Sequence, residues 1–204
     1  MAQVLKEEIK NKIYQMTIEE FYHHDYQSAT LRNVARNAEI PVGLIYSYYK
    51  NKADLFDSIV CPVYTAVKNM LTVTEPTTAS YDRQQNFHVQ VEMPFLLNIL
   101  QSKRKQLIIL IDKSKGTVYE NTKEEFIQLT AEHIQTQLKN KLKNELQIDC
   151  LFYHMLANNF VESLLEIARH YENEQWAEKM MRLFIQQYFC GVNSLMKISE
   201  QVLL

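Results

Sequence analysis

Apolar residues recur along this chain at spacings of three and four, the pattern of helices that turn one face to a core. Ile9, Ile13, Ile18 and Phe21, with Tyr14 and Met16 on the same side, predict a first helix over residues 6–24. His23 to Ser28 has turn character. Thr30 is a good N-cap for a short helix over 31–38, because its hydroxyl can satisfy an orphan backbone donor. Glu39-Ile40 makes a turn, and Pro41 suits the first turn of a second short helix over 42–48. After the break at Lys50-Asn51 a longer helix is expected to residue 72, with a kink at Pro62. Residues 74–80 are polar and aperiodic, a loop.

Beyond that loop the pattern stays helical. A helix over 81–100 is interrupted in its later half by Pro94, and 102–113 reads as a short buried helix. The β-branched content of 102–113 also allows a strand, but the sequence offers no partner strand. Lys115 to Thr117 is a break; long helices are expected over 119–143, 149–171 and 173–198, the last two antiparallel neighbours.

Composition supports this reading. The 204 residues include only 3 Gly and 4 Pro, where average usage would give roughly 14 and 10. Sandwiches and Rossmann-type folds need more tight turns. Gly43, Gly116 and Gly191 lie far apart, which excludes a glycine-rich phosphate loop. Cys61, Cys150 and Cys190 fit no zinc spacing and read as free thiols of a reducing cytosol, so a cytoplasmic protein is expected. The charged N-terminus lacks a signal-peptide core. The longest aliphatic run, 107–111, is far short of a membrane span. Residues 1–52 hold seven Lys/Arg against six Asp/Glu, and the remainder fifteen against eighteen. Any nucleic-acid binding at the front must therefore use placed contacts or a dimer, not bulk charge.

The informative stretch is TLRNVARNAEIPVGLIYSYYKNK, residues 30–52. Val34, Ala35, Ala38, Ile40, Ile45 and Tyr49 can form one apolar seam between two helices too short to stand alone, with the small alanines allowing a close crossing. This is the layout of a helix-turn-helix, which offers its second helix to the major groove. The outward face of that helix would carry Pro41, Val42, Gly43, Tyr46, Ser47 and Tyr48.

These residues resemble, without a gap, the DNA-binding motif of TetR-type transcriptional regulators: Thr30, Val34-Ala35, Ala38, Ile40, Gly43, Ile45-Tyr46, Tyr48-Tyr49, Lys52, Asp54 and Leu55-Phe56. A weaker likeness to the ligand domain of family members from Gram-positive bacteria lies at residues 108–126. Two positions depart from the motif. Glu39 stands where the turn usually has Gly, a cost of roughly 1 kcal/mol if the backbone there is left-handed. Pro41-Val42 opens the recognition helix where many members carry Ser, Thr or Arg, so base readout there would be apolar, against a thymine methyl for example.

The resemblance implies an all-α fold of about nine helices, with an N-terminal three-helix helix-turn-helix domain over 1–55 and a C-terminal helical effector-binding and dimerisation domain over 56–204. It implies that Thr30, Tyr46, Tyr48 and Lys52 meet phosphate or sugar, that Gly43 lets backbone approach DNA, and that Ser47 faces a base edge or phosphate. Tyr49 reads better as core. Lys52 also reads as an isolated surface lysine, a common feature without a role. Arg32 and Arg36 fit phosphate contacts or a solvated face equally well.

The last two helices, 149–171 and 173–198, carry more apolar residues than one buried stripe needs, among them Leu151, Met155, Phe160, Leu183 and Phe184. Gly191 would admit a close partner helix. A two-fold homodimer through a four-helix bundle is expected, which would set two recognition helices about 34–36 Å apart. Residues 81–143 would enclose a cavity for a small-molecule effector, with Phe87, Met93, Leu96, Phe126, Leu129, His133, Tyr153 and Asn158 as candidate lining. No cofactor or metal is expected. His23-His24-Asp25 reads as a solvated helix end. Glu162, Glu166 and His170 at i, i+4, i+8 are a conceivable metal half-site but more simply a solvent-facing stripe. Cys150 and His154 lack an orienting third group. The function expected is a ligand-released repressor on a palindromic operator. The rival readings are a helix-turn-helix protein controlled by a protein partner, and a metal-dependent helical enzyme.

Overall fold

The computed structural model describes residues 2–72, 93–141 and 148–195. Among them every regular element is a helix: α1 (Ala2–His23), α2 (Leu31–Asn37), α3 (Val42–Ile45), α4 (Lys52–Thr72), α5 (Met93–Ser102), α6 (Arg104–Asp112), α7 (Thr122–Lys141), α8 (Cys150–Arg169) and α9 (Glu174–Leu195). They divide into two compact units, Met1–Ala66 with Lys103–Lys123, and Val67–Ser102 with Glu124–Leu204.

The first unit is built on the apolar face of α1. Ile13 packs with Val34, Ala35, Ile45, Tyr49 and Leu55, and Ile9, Met16 and Ile40 flank this cluster. Farther along α1, Phe21 meets Phe56 edge-on at 5.0 Å, and Tyr26 meets Phe56 in the same way. Offset and edge-on pairs of this kind add to simple area burial. The unit also recruits α6 from far along the sequence. Ile109 and Leu110 are fully buried. Lys105 Nζ reaches both carboxylate oxygens of Glu19, and the Tyr26 amide donates to the Lys113 carbonyl at 2.8 Å. Residues 114–121 then close over α4. Tyr119 is buried against Phe56 and Tyr64 and donates its hydroxyl to Asp57. Burial, with the Asp57 carboxylate beside it, pushes that phenol far above the ordinary tyrosine range.

In the second unit α9 packs on α5 and on α8. Ala157, Ala168, Ala177 and Met181 are completely buried, and Phe160, Phe184 and Tyr188 form an aromatic cluster. Asp149 caps α8 by accepting from the Leu151 amide, and Asn173 accepts from the Trp176 amide at the start of α9.

Several elements differ from the sequence reading. The segment 102–113 is a helix, as preferred over a strand. The helix expected from Tyr119 starts at Thr122 instead, because Ser114, Thr117 and Tyr119 bond one another in a turn that spends the first three residues. The recognition helix is α-helical only over Val42–Ile45. Residues 46–48 continue as turns with i to i−3 bonds, Ser47 to Leu44 and Tyr48 to Ile45. Pro41 is the N-cap, not a first-turn residue, since its ψ of 136° is extended. Helix α4 is assigned without a break through Pro62. Of the helix expected over 81–100, residues 81–92 lie outside the described residues, as do 142–143 and 196–198 of the later helices.

Candidate nucleic-acid interface

The turn between α2 and α3 is a Schellman closure. The Ile40 amide donates to the Ala35 carbonyl and the Glu39 amide to the Arg36 carbonyl, both at 3.0 Å. Glu39 takes the left-handed position with φ 54°, the non-glycine residue with positive φ among those described. Its carboxylate pairs with Lys12 at 3.0 Å across an exposed surface. Pro41 then fixes the direction in which α3 sets off, and Leu44 closes its first turn on the Pro41 carbonyl at 2.9 Å.

Helix α3 is anchored by one residue. Ile45 is fully buried in the cluster around Ile13, and Tyr49 is buried one turn on. Around that anchor Pro41, Val42, Gly43, Tyr46 and Ser47 all face outward. Val42 is 39% and Tyr46 56% exposed, high values for large apolar side chains. Gly43 has no positive φ, and a Cβ there would meet nothing within 4 Å. Neither strain nor crowding inside the chain requires this glycine, so the space in front of it is open to an outside surface.

Thr30 caps α2 as expected. Its Oγ1 accepts from the Asn33 amide at 3.2 Å, and the residue is exposed, so the hydroxyl proton is left over for an external acceptor. Arg32 and Arg36 are exposed. Two other expected contacts are tied into the fold. Tyr48 is half-buried and its hydroxyl donates to the Lys6 carbonyl at 3.2 Å. The Lys52 ammonium donates to the Gln27 carbonyl at 3.3 Å and sits 4.7 Å over the Tyr26 ring. Burial draws its pKa below the ordinary lysine value, against the opposing pull of the Asp25 and Glu20 carboxylates.

Two supporting groups escaped the sequence reading. Asn51 and Asp54 cap α4 reciprocally: Asn51 Oδ1 accepts from the Asp54 amide, and Asp54 Oδ2 from the Lys50 amide. The Asn-x-x-Asp spacing was the available signal. Glu20 was the other. It lies on the apolar side of α1 next to Phe21 and is only 4% exposed.

In the second unit the candidate effector residues differ in burial. Met93, Phe126 and Tyr153 are buried, Leu96, Leu129 and His133 half-buried, and Asn158 exposed on α8. Phe87 lies outside the described residues. A groove of about 390 Å³ is lined by Gln128, Ala131, Glu132 and Gln135 of α7 and Cys150, Leu151, Tyr153 and His154 of α8. Tyr153 is common to both sets. The α7 residues of the groove lie on a different face from Phe126, Leu129 and His133. On the outer side of α8 and α9, Leu151, Met155 and Leu183 are more than half exposed. Glu162 and Glu166 form ion pairs with Arg169, and His170 Nε2 lies 3.2 Å from the Glu166 carboxylate. No three metal-ligating side chains converge among the described residues, and no described helix is long and apolar enough to cross a membrane.

The helix-turn-helix region matches a family profile. Residues 13–59 fit the family described as "Bacterial regulatory proteins, tetR family". The chain is 24% identical over 138 residues to the uncharacterized HTH-type transcriptional regulator YhgD of Bacillus subtilis, covering 68% of this chain and 69% of that protein. Among solved structures it is similar to a TetR-like transcriptional regulator from Rhodococcus sp. RHA1, with a TM-score of 0.58 at 15% identity over 90% of this chain and 96% of that one. It is also similar to NalD, the secondary repressor of the MexAB-OprM multidrug efflux pump in Pseudomonas aeruginosa, with a TM-score of 0.53 at 18% identity over 89% and 95% of the two chains. The matched segment holds the capped α2, the Schellman turn and the outward face of α3, and the helical architecture around it is similar over nearly the full length: residues 13–59 carry the DNA-binding domain of the tetR family of bacterial regulatory proteins, on a TetR-like fold.

Proposed function

We propose that the chain is a one-component, ligand-responsive repressor, which binds a palindromic operator as a dimer and leaves it when a small molecule binds. The observation that carries this reading is the outward face of α3. It keeps Val42 and Tyr46 in solvent around a fully buried Ile45, an arrangement useful to a groove-reading helix and costly to an isolated domain. Residues 1–55 form the DNA-reading part and 56–204 the effector and dimerisation part. Thr30 and Arg32 meet phosphates at the start of α2. Pro41, Val42 and Gly43 face the base edges, with Val42 offering apolar contact and Gly43 close backbone approach. Tyr46 and Ser47 bind backbone oxygens through their hydroxyls. Tyr48 and Lys52 border the phosphate path, with part of their bonding capacity held by Lys6 and Gln27.

The dimer forms through α8 and α9, where Leu151, Met155 and Leu183 are more than half exposed. Gly191 supports it, because a Cβ there would meet nothing within 4 Å. The effector binds in the second unit, where Tyr153 lines both the expected cavity and the observed groove. Its binding favours a conformation in which α4 holds the two α3 helices at the wrong separation for one operator. The ligand acts only through its preference for that conformation.

Fluorescence anisotropy on DNA from upstream of the chain's own gene tests the reading, with unrelated DNA as control. Tight, salt-sensitive binding to the upstream DNA alone is expected. Tyr46→Phe should weaken it about five- to ten-fold, the value of one hydrogen bond to a charged oxygen. Lys52→Ala should weaken it too and, if the ammonium reaches a phosphate, lower the slope of log K against log salt by about 1. Unchanged affinity in Tyr46→Phe would remove this residue from the interface. Equal binding to both DNAs would remove the operator at that locus.

A further inference from the structure

Among the described residues of the first unit Glu20 is the buried charged side chain, and it lies at the start of α2. It stands on α1, beside Phe21, and is 4% exposed. A buried carboxylate is costly unless its oxygens are bonded, and an apolar side chain of similar size would fill the same space more cheaply. Here one oxygen does two jobs. Oε1 accepts from the Thr30 backbone amide at 2.9 Å and from Asn33 Nδ2 at 3.0 Å. Thr30 is the N-cap of α2 and Asn33 is the residue whose amide its hydroxyl caps. The carboxylate thus holds both ends of the capping interaction from a neighbouring helix. Its charge also lies against the positive end of α2.

The consequence concerns the direction of one proton. With its backbone amide pinned to Glu20 and its Oγ1 engaged by Asn33, Thr30 keeps a fixed backbone and side-chain direction, and its O–H is the remaining donor. Thr30 itself is exposed, so that donor points away from the core. We infer that Glu20 is a positioning residue for DNA binding: from inside the domain it orients the Thr30 hydroxyl toward an operator phosphate. This rests on the DNA-binding reading given above, and specifically on Thr30 as a phosphate contact. The geometry asks for an acceptor at Oε1, not for a negative charge, so glutamine should serve nearly as well as glutamate.

The test is a double-mutant cycle on the full chain, with a duplex selected from a randomised pool by the unaltered protein. Glu20→Leu should fold, by circular dichroism and thermal midpoint, yet bind the selected duplex about ten-fold more weakly. Glu20→Gln should stay within about two-fold of the unaltered protein. Thr30→Ala should lose about as much as Glu20→Leu, and the double variant no more than either single one, because both remove the same contact. If Glu20→Leu does not fold, Asn33→Ala replaces it in the cycle, with an expected loss of two- to three-fold that likewise vanishes beside Thr30→Ala. Additive losses would overturn the inference, as would a Glu20→Gln defect equal to that of Glu20→Leu. Normal affinity in Thr30→Ala would overturn it by removing the contact through which Glu20 acts. Selection of no duplex at all would instead overturn the DNA-binding reading on which it rests.

Discussion

At Glu39 the backbone sits at φ 54° in the position that closes α2, where a side chain crowds the following carbonyl. Its compensation is one exposed ion pair with Lys12, a kind of contact worth little in water. Glu39→Gly should therefore stabilise the domain by about 0.5 kcal/mol, the roughly 1 kcal/mol relief of backbone strain less the lost pair and the added freedom of the unfolded chain. Urea denaturation would read this as a higher midpoint at unchanged slope. A lower midpoint would show that the Lys12 pair outweighs the strain. The site was legible here because a turn motif is local. Thr30 caps Asn33 and Glu39 closes on Arg36, each within three positions, and the sequence placed the cap and the strained turn correctly. Glu20 was not legible, because its partners are ten and thirteen residues away and its meaning depends on two helices crossing. Nor did the sequence reveal that Tyr48 and Lys52 bond within the chain, to Lys6 and Gln27.

Helices were readable where periodicity ran uninterrupted and misjudged at their ends. The start of α7 slipped by three residues because Ser114, Thr117 and Tyr119 satisfy one another in a turn, a use of hydroxyls that competes with helix formation. Helix α3 came out shorter than its apolar pattern because Ile45 alone anchors it and Tyr49 completes the burial through a tighter turn. The effector residues were the least legible, since lining depends on which faces of α7 and α8 meet and periodicity alone does not say so. Helix α4 offers the prediction at this scale. Pro62 is exposed inside it and supplies no amide to the Ser58 carbonyl. Pro62→Ala should stabilise the protein by about 1–3 kcal/mol without touching the core. A thermal melt checks this. A fall in stability would mean that the Pro62 ring itself supports the packing of Ile59 and Val63.

For the molecule as a whole, the exposed apolar residues of α8 and α9 set the expectation. Leu183 is 58% exposed, so a charge there disturbs little within one chain, yet it would sit in the middle of the proposed four-helix bundle. Leu183→Glu, or Met155→Glu on the facing helix, should give a folded monomer in sedimentation equilibrium where the unaltered chain is a dimer. Operator affinity should drop by more than any single phosphate contact accounts for, because half the interface is lost. A charged variant that stays dimeric would place the interface elsewhere.

The first unit is assembled from two stretches of chain, with α6 and the 114–121 turn closing over α1 and α4. Synthesis on the ribosome delivers these stretches far apart in time. When residue 66 leaves the tunnel, the cluster around Ile13 has all its members, but Phe56 still lacks Tyr119 and α1 still lacks α6, so the unit's core is unfinished. Completion waits until about residue 123 has emerged. A prematurely terminated chain is thus left with the far end of α1 and Phe56 uncovered.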